Sequence, residues 1–544
     1  MPTEKIEEKF NSPVINLALD TIRLEKQAIV FVNTKRSAEK EAEEIAKKIK
    51  TVSDVHEKIA EEALNALASP TEQCKRLSEC LKKGIAFHHA GLTSKQREIV
   101  EENFKNKTIK IICSTPTLAA GLDLPAFRTI IRDLKRYGHR GLTYIPVLEY
   151  LQMAGRAGRP RYDKYGESIA IANSEAEAEA IAEKYINGEP EEIYSKLAVE
   201  PVLRTYLLSL IASRFVQTKL QINAFFGKTF WAHQFKDMEK LESNIQQMLD
   251  LLEEWEFVKK EYVNKEDKEG KAYEKGNSKV DDFVDSDFVS AHRLFEKDDE
   301  IKYTATLLGK RVAELYIDPL TAHYFILCLQ KHKARSINAF SFLQMVSHTL
   351  EMRPLLHVKV KEQEDIEQQL GLLQEHLIDE EPSFYDSEHE EFMNSVKTAL
   401  FFKAWIEEKT EQDILDEYTV RPGETRAKLD TADWLLYSTE ELCKLLAFKE
   451  LIKEIIKLRF RIRYGVKEEL LALLRLKGIG RVRARKLFNN KIKDLGDIKK
   501  ADISILTSIL GKKVAMDVKK QVGQEIKEKL IPEPKLGEKI EDYG

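Results

Sequence analysis

The sequence is poor in the features that usually reveal a protein's chemistry. It has five cysteines in 544 residues, Cys74, Cys80, Cys113, Cys328 and Cys443, with no C-x-x-C and no paired-ligand spacing. That argues for a reducing interior and against zinc or iron–sulfur sites. No apolar run approaches the ~18 residues that a membrane span needs. The opening residues, MPTEKIEEKF, are charged and carry no apolar signal region. The expectation is a soluble cytoplasmic protein with no membrane partner and no resident metal. Overall charge is nearly balanced, with Lys+Arg 87 against Asp+Glu 91 and a net charge of -4. The total therefore does not announce a nucleic-acid binder, and local patches carry that question.

Further absences concern phosphate chemistry. A P-loop needs G-x-x-x-x-G-K-[ST] after a strand. The sole G-K-T is Gly227-Lys228-Thr229 in INAFFGKTFW; Ile222 stands where the first glycine should, and the context is helical. The apolar run TIIRD ends on Asp133, as a metal-binding aspartate would. Leu134 follows it, and no D-E-x-H or D-E-A-D occurs anywhere.

What is present divides along the chain. The length exceeds what one core holds, so about three to five domains are expected. The first ~190 residues alternate strand-like and helix-like segments, as an α/β domain does. AIVFV (28–32) is an apolar run suited to a buried parallel strand, and GIAFHH (84–89), IKIICS (109–114), FRTIIRD (127–133) and SIAIAN (168–173) repeat the theme. From about Val199 the pattern turns helical, with VLRTYLLSLIASRF, LESNIQQMLDLLEEWEFV and LGKRVAELY. Residues 264–300 are polar and acidic and read as an exposed insertion. An all-helical stretch follows to about Arg463, in which 361–391 is densely acidic and reads as a solvated face or loop. Between Arg475 and Lys520 there are 14 Lys/Arg against four Asp. That is a local basic footprint which the total charge conceals.

Individual motifs are weak alone. STPTLAAGLDLP (114–125) follows a strand and could be any βα loop. FVNTKRSAE (31–39) puts Asn33, Thr34 and Ser37 at a helix start, where a plain cap is the default, although a helix start also binds phosphate oxygens. FHHAGL (87–92) says little by itself. YLQMAGRAGRP (150–160) presents two arginines, each after a glycine, as a helicase presents them to the γ-phosphate of ATP.

In order and spacing the four together resemble motifs IV to VI of the second RecA-like domain of a superfamily-two helicase. That resemblance implies that Gln152, Arg156 and Arg159 face the nucleotide. Asp123 helps couple the nucleotide to DNA, and with Gly121 and Gly155 it belongs to the cofactor-binding set. Arg36, Thr115 and Thr117 touch the nucleic-acid backbone. Arginines in these places fit phosphoryl transfer, where a guanidinium from outside the phosphate loop stabilises charge on the γ-phosphoryl oxygens.

The remaining motifs narrow the family. RDLKRYGHRGLTYIPVLEY reads as two extended pieces around a basic, aromatic tip; the bland reading is a surface turn. In Ski-two-like DNA helicases a hairpin here splits the duplex, which makes Tyr137 and His139 candidates for the separating pin. PGETRAKLDTADWLLYSTEELCKLL reads as a long helix with Arg426 and Trp434 eight residues apart. An indole there is core by default, or stacks on a base while the guanidinium holds phosphate. TADWL inside such a helix resembles the ratchet helix of archaeal Holliday junction migration helicases. LKGIGRVRARKLF (476–488) fits the helix-hairpin-helix pattern G-h-G-x-x-x-A-x-x-L with Gly478, Ile479, Gly480, Ala484 and Leu487. Arg481, Arg483, Arg485 and Lys486 add charge, and ILGKKVAMDV (509–518) reads as a degenerate second copy.

The chain is thus similar to the archaeal Ski-two-like DNA helicases. The implied fold is an α/β RecA-like domain (1–197) followed by mostly α domains. These are a winged helix with an acidic insertion (198–307), a helical ratchet bundle (308–463) and a helix-hairpin-helix domain (464–544). The implied activity is ATP- and Mg2+-dependent 3′-to-5′ unwinding of forked DNA, single-stranded overhangs and junctions in the archaeal cytosol or nucleoid. ATP and Mg2+ would be bound mainly by a first RecA-like domain that this sequence lacks. The chain would then be a truncated frame, part of a split gene, or one subunit working with a separate chain. Other readings are an ATP-independent DNA-binding adaptor derived from a helicase, against which Gln152, Arg156 and Arg159 speak, and an RNA helicase, which the helix-hairpin-helix disfavours.

Overall fold

The computed structural model describes residues 6–50, 53–67, 69–121, 124–138, 141–158, 163–262, 301–334 and 337–524. Two compact units emerge: Met1–Ile193 with Lys409–Lys428, and Tyr194–Glu408 with Leu429–Gly544.

The first unit is built on a five-stranded parallel sheet. Its strands are β1 (Ala28–Phe31), β2 (Ile85–His88), β3 (Ile111–Ser114), β4 (Arg128–Ile131) and β7 (Glu167–Ala170), in the order β2-β3-β1-β4-β7. All pairs are parallel, with Ala28 level with Ile111 and Arg128. Every residue of β1 to β4 is buried, the reason these runs are mostly apolar, with Arg128, Thr129, His88 and Ser114 as buried polar exceptions. β1 lies between β3 and β4, so the chain diverges from the carboxyl ends of β1 and β3, where open α/β sheets bind ligands. The helix Lys35–Ala46 starts there, capped by Thr34, whose hydroxyl accepts from the Ser37 N–H. Asp133 is used structurally, accepting from the Asn33 N–H at 3.0 Å and from Arg132 at 2.7 Å.

A short antiparallel hairpin, β5 (Lys135–Gly138) and β6 (Gly141–Tyr144), follows β4. The expected extended pieces are therefore present. Two further helices, Asp54–Leu64 and Glu72–Leu81, follow Lys35–Ala46 before β2.

The second unit opens with helices Glu200–Ala212, Lys219–Gly227, Phe230–Phe235 and Met238–Glu254. Strands β8 (Val258–Tyr262) and β9 (Ile301–Ala305) then pair antiparallel, and the helix Leu307–Leu315 follows. This is a helix-turn-helix with a two-stranded wing. Gly227 ends one helix and Thr229 caps the next, so the G-K-T lies in a helix–helix turn with no strand before it. The helix expected across LESNIQQMLDLLEEWEFV stops at Glu254, because Glu256 turns left-handed (φ 60) and lets Trp255 and Phe257 enter the core. The expected acidic insertion 264–300 lies outside the described residues.

The rest of this unit is helical. His389–Ile406 is buried along most of its length, and Gln363–Leu373, in the acidic stretch, buries only Ile366 and Leu370. The tail from Val466 forms its own small core around Leu473, Ile479, Ala484, Leu487, Leu506 and Val518. Among the described residues no single helix is long and apolar enough to cross a membrane.

Candidate nucleotide and nucleic-acid sites

Three expected residues meet in one place in the first unit. Arg36, Thr115 and Thr117 line a cavity of about 570 Å³ at the carboxyl ends of β1 and β3, together with Asn33, Thr34, Lys35, Arg136 and Arg421. Asn33 is oriented by its side-chain amide, which donates to the Lys135 carbonyl. Thr115 is buried and its hydroxyl lies 3.0 Å from that of exposed Thr117. Most cations here are already paired: Lys35 with Glu424, Arg136 with Glu149 at 2.9 Å, and Arg421 with Glu39 at 3.0 Å. Arg36 is exposed and makes no hydrogen bond or ion pair among the described residues. A cavity walled by hydroxyls and amides with one uncommitted guanidinium suits a phosphodiester oxygen.

The glycine–arginine segment follows the helix Val147–Ala154, in which Gln152 is exposed and Gly155 is the carboxyl cap. Arg156 is held from two sides. Its guanidinium donates to the Ala119 carbonyl, Nε at 3.1 Å, within the helix Thr117–Gly121 that follows β3 and ends on Gly121. Its own carbonyl accepts from Ala126 at 2.9 Å, and the Gly158 N–H donates to the Ala126 carbonyl at 2.7 Å. The segment is thus stitched, through a parallel bridge between Ala126 and Ala157, to the chain leading into β4. Gly158 (φ 89) approaches Gly166 so closely that a Cβ on Gly166 would lie 2.2 Å from the Gly158 nitrogen. Asp123, Arg159 and His139 lie outside the described residues. Tyr137 is placed in β5 by its backbone.

In the second unit Trp434 is half-buried. Its indole N–H donates to the Leu315 carbonyl at 3.0 Å, which anchors the ring edge to the end of a neighbouring helix. Arg426 is exposed near the start of the helix Pro422–Leu445, in turns that belong to the first unit.

The tail has the expected hairpin geometry. Gly478 takes φ 81, Gly480 is the extended N-cap of the helix Arg481–Asn489, and no side chain caps that helix. Ile479, Ala484 and Leu487 point into the core. The second copy repeats the register: Gly511 (φ 82) precedes the uncapped helix Lys512–Gln521, and Ala515 and Val518 are fully buried.

The tail's cations separate into two sets. Arg481 packs its guanidinium 4.7 Å from the centre of the Trp405 ring and donates to the Glu408 carbonyl at 3.0 Å. Arg485 is bidentate to Glu408, at 2.6 and 2.8 Å, and reaches Glu469 at 2.7 Å. These two fasten the tail to the helical bundle. Arg483 and Lys486 are exposed, and Arg483 also donates to the Gly478 carbonyl at 2.8 Å across the hairpin.

Sequence reasoning missed a buried charged cluster. Glu39, 2% exposed, accepts from Arg421 at 3.0 Å and Arg76 at 2.7 Å, and His89 Nε2 lies 3.2 Å away. Burial alone would raise the Glu39 pKa, but hydrogen bonds from His89 and Arg421 outweigh it and hold the carboxyl at about 2. Burial pushes His89 below its ordinary value against the pull of Glu39. The only signal in the sequence was a histidine pair in FHHAGL, and Arg421, which completes the cluster through Glu39, lies more than 300 residues further on. No group of His, Cys, Asp and Glu that could hold a metal ion occurs among the described residues.

Comparison with known proteins agrees with this geometry. Residues 66–161 match the helicase conserved C-terminal domain, 166–259 a helix-turn-helix domain, and 340–465 domain 4 of archaeal helicases. The ATP-dependent DNA helicase Hel308 of Methanococcus vannielii is 38% identical over 526 residues, covering 94% of this chain and 68% of the relative. That of Pyrococcus horikoshii is 38% identical over 537 residues, covering 97% and 68%. That of Methanocella arvoryzae is 36% identical over 525 residues, covering 94% and 65%. An identity of 38% over 94% of the chain and 68% of the relative, with the helicase C-terminal and archaeal helicase domain 4 matches, places this chain in the Hel308 family of archaeal DNA helicases.

Proposed function

We propose that the chain is the DNA-gripping and arginine-supplying portion of an ATP-dependent 3′-to-5′ helicase that acts on forks and recombination intermediates. A RecA-like domain not contained in these 544 residues would hold the β- and γ-phosphates and Mg2+. The domain limits proposed are those read from the sequence, 1–197, 198–307, 308–463 and 464–544. The observation that carries this reading is the stitching of the Arg156 segment to the loop after β3, since the same loop lines the cavity that holds Arg36 and Thr115. A displacement of the Arg156 segment would thereby be transmitted to where a DNA phosphate would sit.

When bound, ATP supplies the phosphoryl group whose transfer to water drives the motion. Arg156 and Arg159 place positive charge against that group, and Gln152 projects from the same helix end. Gly121, Asp123 and Gly155 shape the loops that carry the signal. Arg36, Thr115 and Thr117 hold the DNA backbone, and the β5–β6 hairpin with Tyr137 and His139 meets the duplex. Arg426 and Trp434 contact the single strand, the first through phosphate and the second through the exposed part of its ring. The tail binds phosphate through the uncapped N–H groups after Gly478 and Gly480, with Arg483 and Lys486 beside them. Arg481 and Arg485 hold that hairpin in place and add to its field.

The test is reconstitution. The chain alone should bind forked DNA and show no DNA-stimulated ATPase. Adding a separate RecA-like domain that carries a P-loop should restore both ATPase and unwinding. Arg156→Ala should then lower kcat by ~10³–10⁵. An ATP-independent adaptor would stay inactive with any added domain, and the substitution would be silent.

A further inference from the structure

FHHAGL touches the proposed DNA cavity only through Ala90, yet its residues are among the most tightly packed. His89 is fully buried and stacks on Phe87, with ring centres 5.5 Å apart. Its Nδ1 accepts from the Gly91 N–H at 3.1 Å, which directs Nε2 toward Glu39. What covers this surface is the segment just before the helix Pro422–Leu445. Arg421 inserts toward Glu39, the Gly423 N–H donates to the Gly91 carbonyl at 3.0 Å, and Glu424 pairs with Lys35. The fit leaves no room for a methyl group. A Cβ on Gly423 would lie 2.2 Å from the Leu92 carbonyl oxygen and 2.4 Å from that of Ala90. A Cβ on Gly91 would lie 2.3 Å from the Arg421 Cδ. A second tie joins the Glu72 N–H to the Gln412 side chain at 2.9 Å.

We infer that FHHAGL is a socket for residues 420–424, and that Glu39, His89, Gly91, Arg421 and Gly423 are positioning residues for the DNA-contacting helix that begins at Pro422. Three properties support this. The socket is charged and buried, with Glu39 accepting from both Arg421 and Arg76; a bonded buried ion cluster is costly to leave half-broken. The strap ends two residues before exposed Arg426, so its seating sets where that guanidinium stands. Arg421 also lines the cavity that holds Arg36 and Thr115, which puts strap and DNA groove on one rigid surface. A shift of the RecA-like sheet therefore carries the start of the helix with it. The inference rests on the proposed contact of Arg426 with single-stranded DNA.

The experiment uses the whole chain and a labelled oligothymidylate strand of about 20 nucleotides, with Gly423→Ala and Glu39→Gln as variants because neither side chain faces the groove. Both should weaken binding by about tenfold, or ~1.4 kcal/mol. Hydrogen exchange should rise in 87–92 and 420–428 and stay unchanged in β1 and β3. Arg426→Ala should weaken binding in the parent chain and add nothing in the Gly423→Ala background. Raised exchange with unchanged affinity, or full additivity with Arg426→Ala, would overturn the positioning role while leaving the DNA reading intact. If Gly423→Ala disturbs the strands as well, Glu39→Gln gives the same comparison without inserting a methyl group. Failure of the parent chain to bind the strand at all would sink both the inference and the function on which it rests.

Discussion

Glu39 and Lys486 show how differently two regions of this chain treat charge. In the RecA-like unit the charges that matter are sunk into the structure. Glu39 is 2% exposed among His89, Arg421 and Arg76, and Arg128, also 2% exposed, is bonded by Asp20, Glu167 and the Thr21 hydroxyl. In the tail, Lys486 and Arg483 stand in solvent on a helix whose backbone does the orienting. Buried charges define where things sit, because each must find partners or leave a desolvated ion behind. Exposed charges define what is attracted, because they act through a screened field and need no fixed partner. Arg481 and Arg485 belong by sequence to the second region and by contact behave like the first.

The sharpest break in the comparison should come from Arg128. Replacing it with alanine leaves Asp20 and Glu167 beside a buried hole, and chemical denaturation of the chain should lose ~3–5 kcal/mol. A loss below about 1 kcal/mol would mean that the cluster is solvated after all. Next in size is acid sensitivity. The Glu39 pKa is depressed from 4.5 to about 2, so its contribution is fully present above about 4.5 and disappears as pH falls toward 2. The loss should be on the order of 3 kcal/mol. His89, whose pKa is also lowered, acts in the same direction below about 6.5, since the unfolded chain takes up that proton first. Stability against pH for the parent and Glu39→Gln should therefore diverge above pH 4.5 and converge in acid. Parallel curves would remove Glu39 from the account.

Trp434 tests the middle ground. Its ring edge is anchored and its face partly open, so Trp434→Ala should cost ~1–3 kcal/mol of single-strand affinity. Melting temperature measured on the same protein separates this from a core defect. A large stability loss with normal binding by the folded fraction would assign the ring to the core. The smallest effects belong to the tail. Arg483→Ala and Lys486→Ala should each flatten the salt dependence of DNA binding by about 1 in slope and leave stability within about 0.5 kcal/mol. Arg485→Ala should do the reverse, loosening the tail from Glu408 while changing the slope less. Equal slopes for all three would erase the distinction between fastening and gripping cations.

Much of this protein is legible without coordinates because its signals are local. The mostly apolar runs at 28–31, 85–88, 111–114 and 128–131 are buried strands, since a parallel strand covered on both faces favours apolar residues, and the polar exceptions such as Arg128 and Ser114 are bonded internally. Gly478, Gly480 and Gly511 mark turns, because two of them take a positive φ that other residues avoid and the third opens an uncapped helix. The long helix through Trp434 follows from its composition and from Pro422 at its start. None of these depends on a distant part of the chain. What only the tertiary structure decided are the partnerships made across hundreds of residues or between separate helices: Glu39 with Arg421, Arg204 with Asp318, and Arg485 with Glu408. It also decided which of the four cations after Gly480 look outward. An arginine reads the same in sequence whether it faces phosphate or carboxylate. Its role is set by which opposite charge the fold brings within bonding distance, and by how much water is left between them.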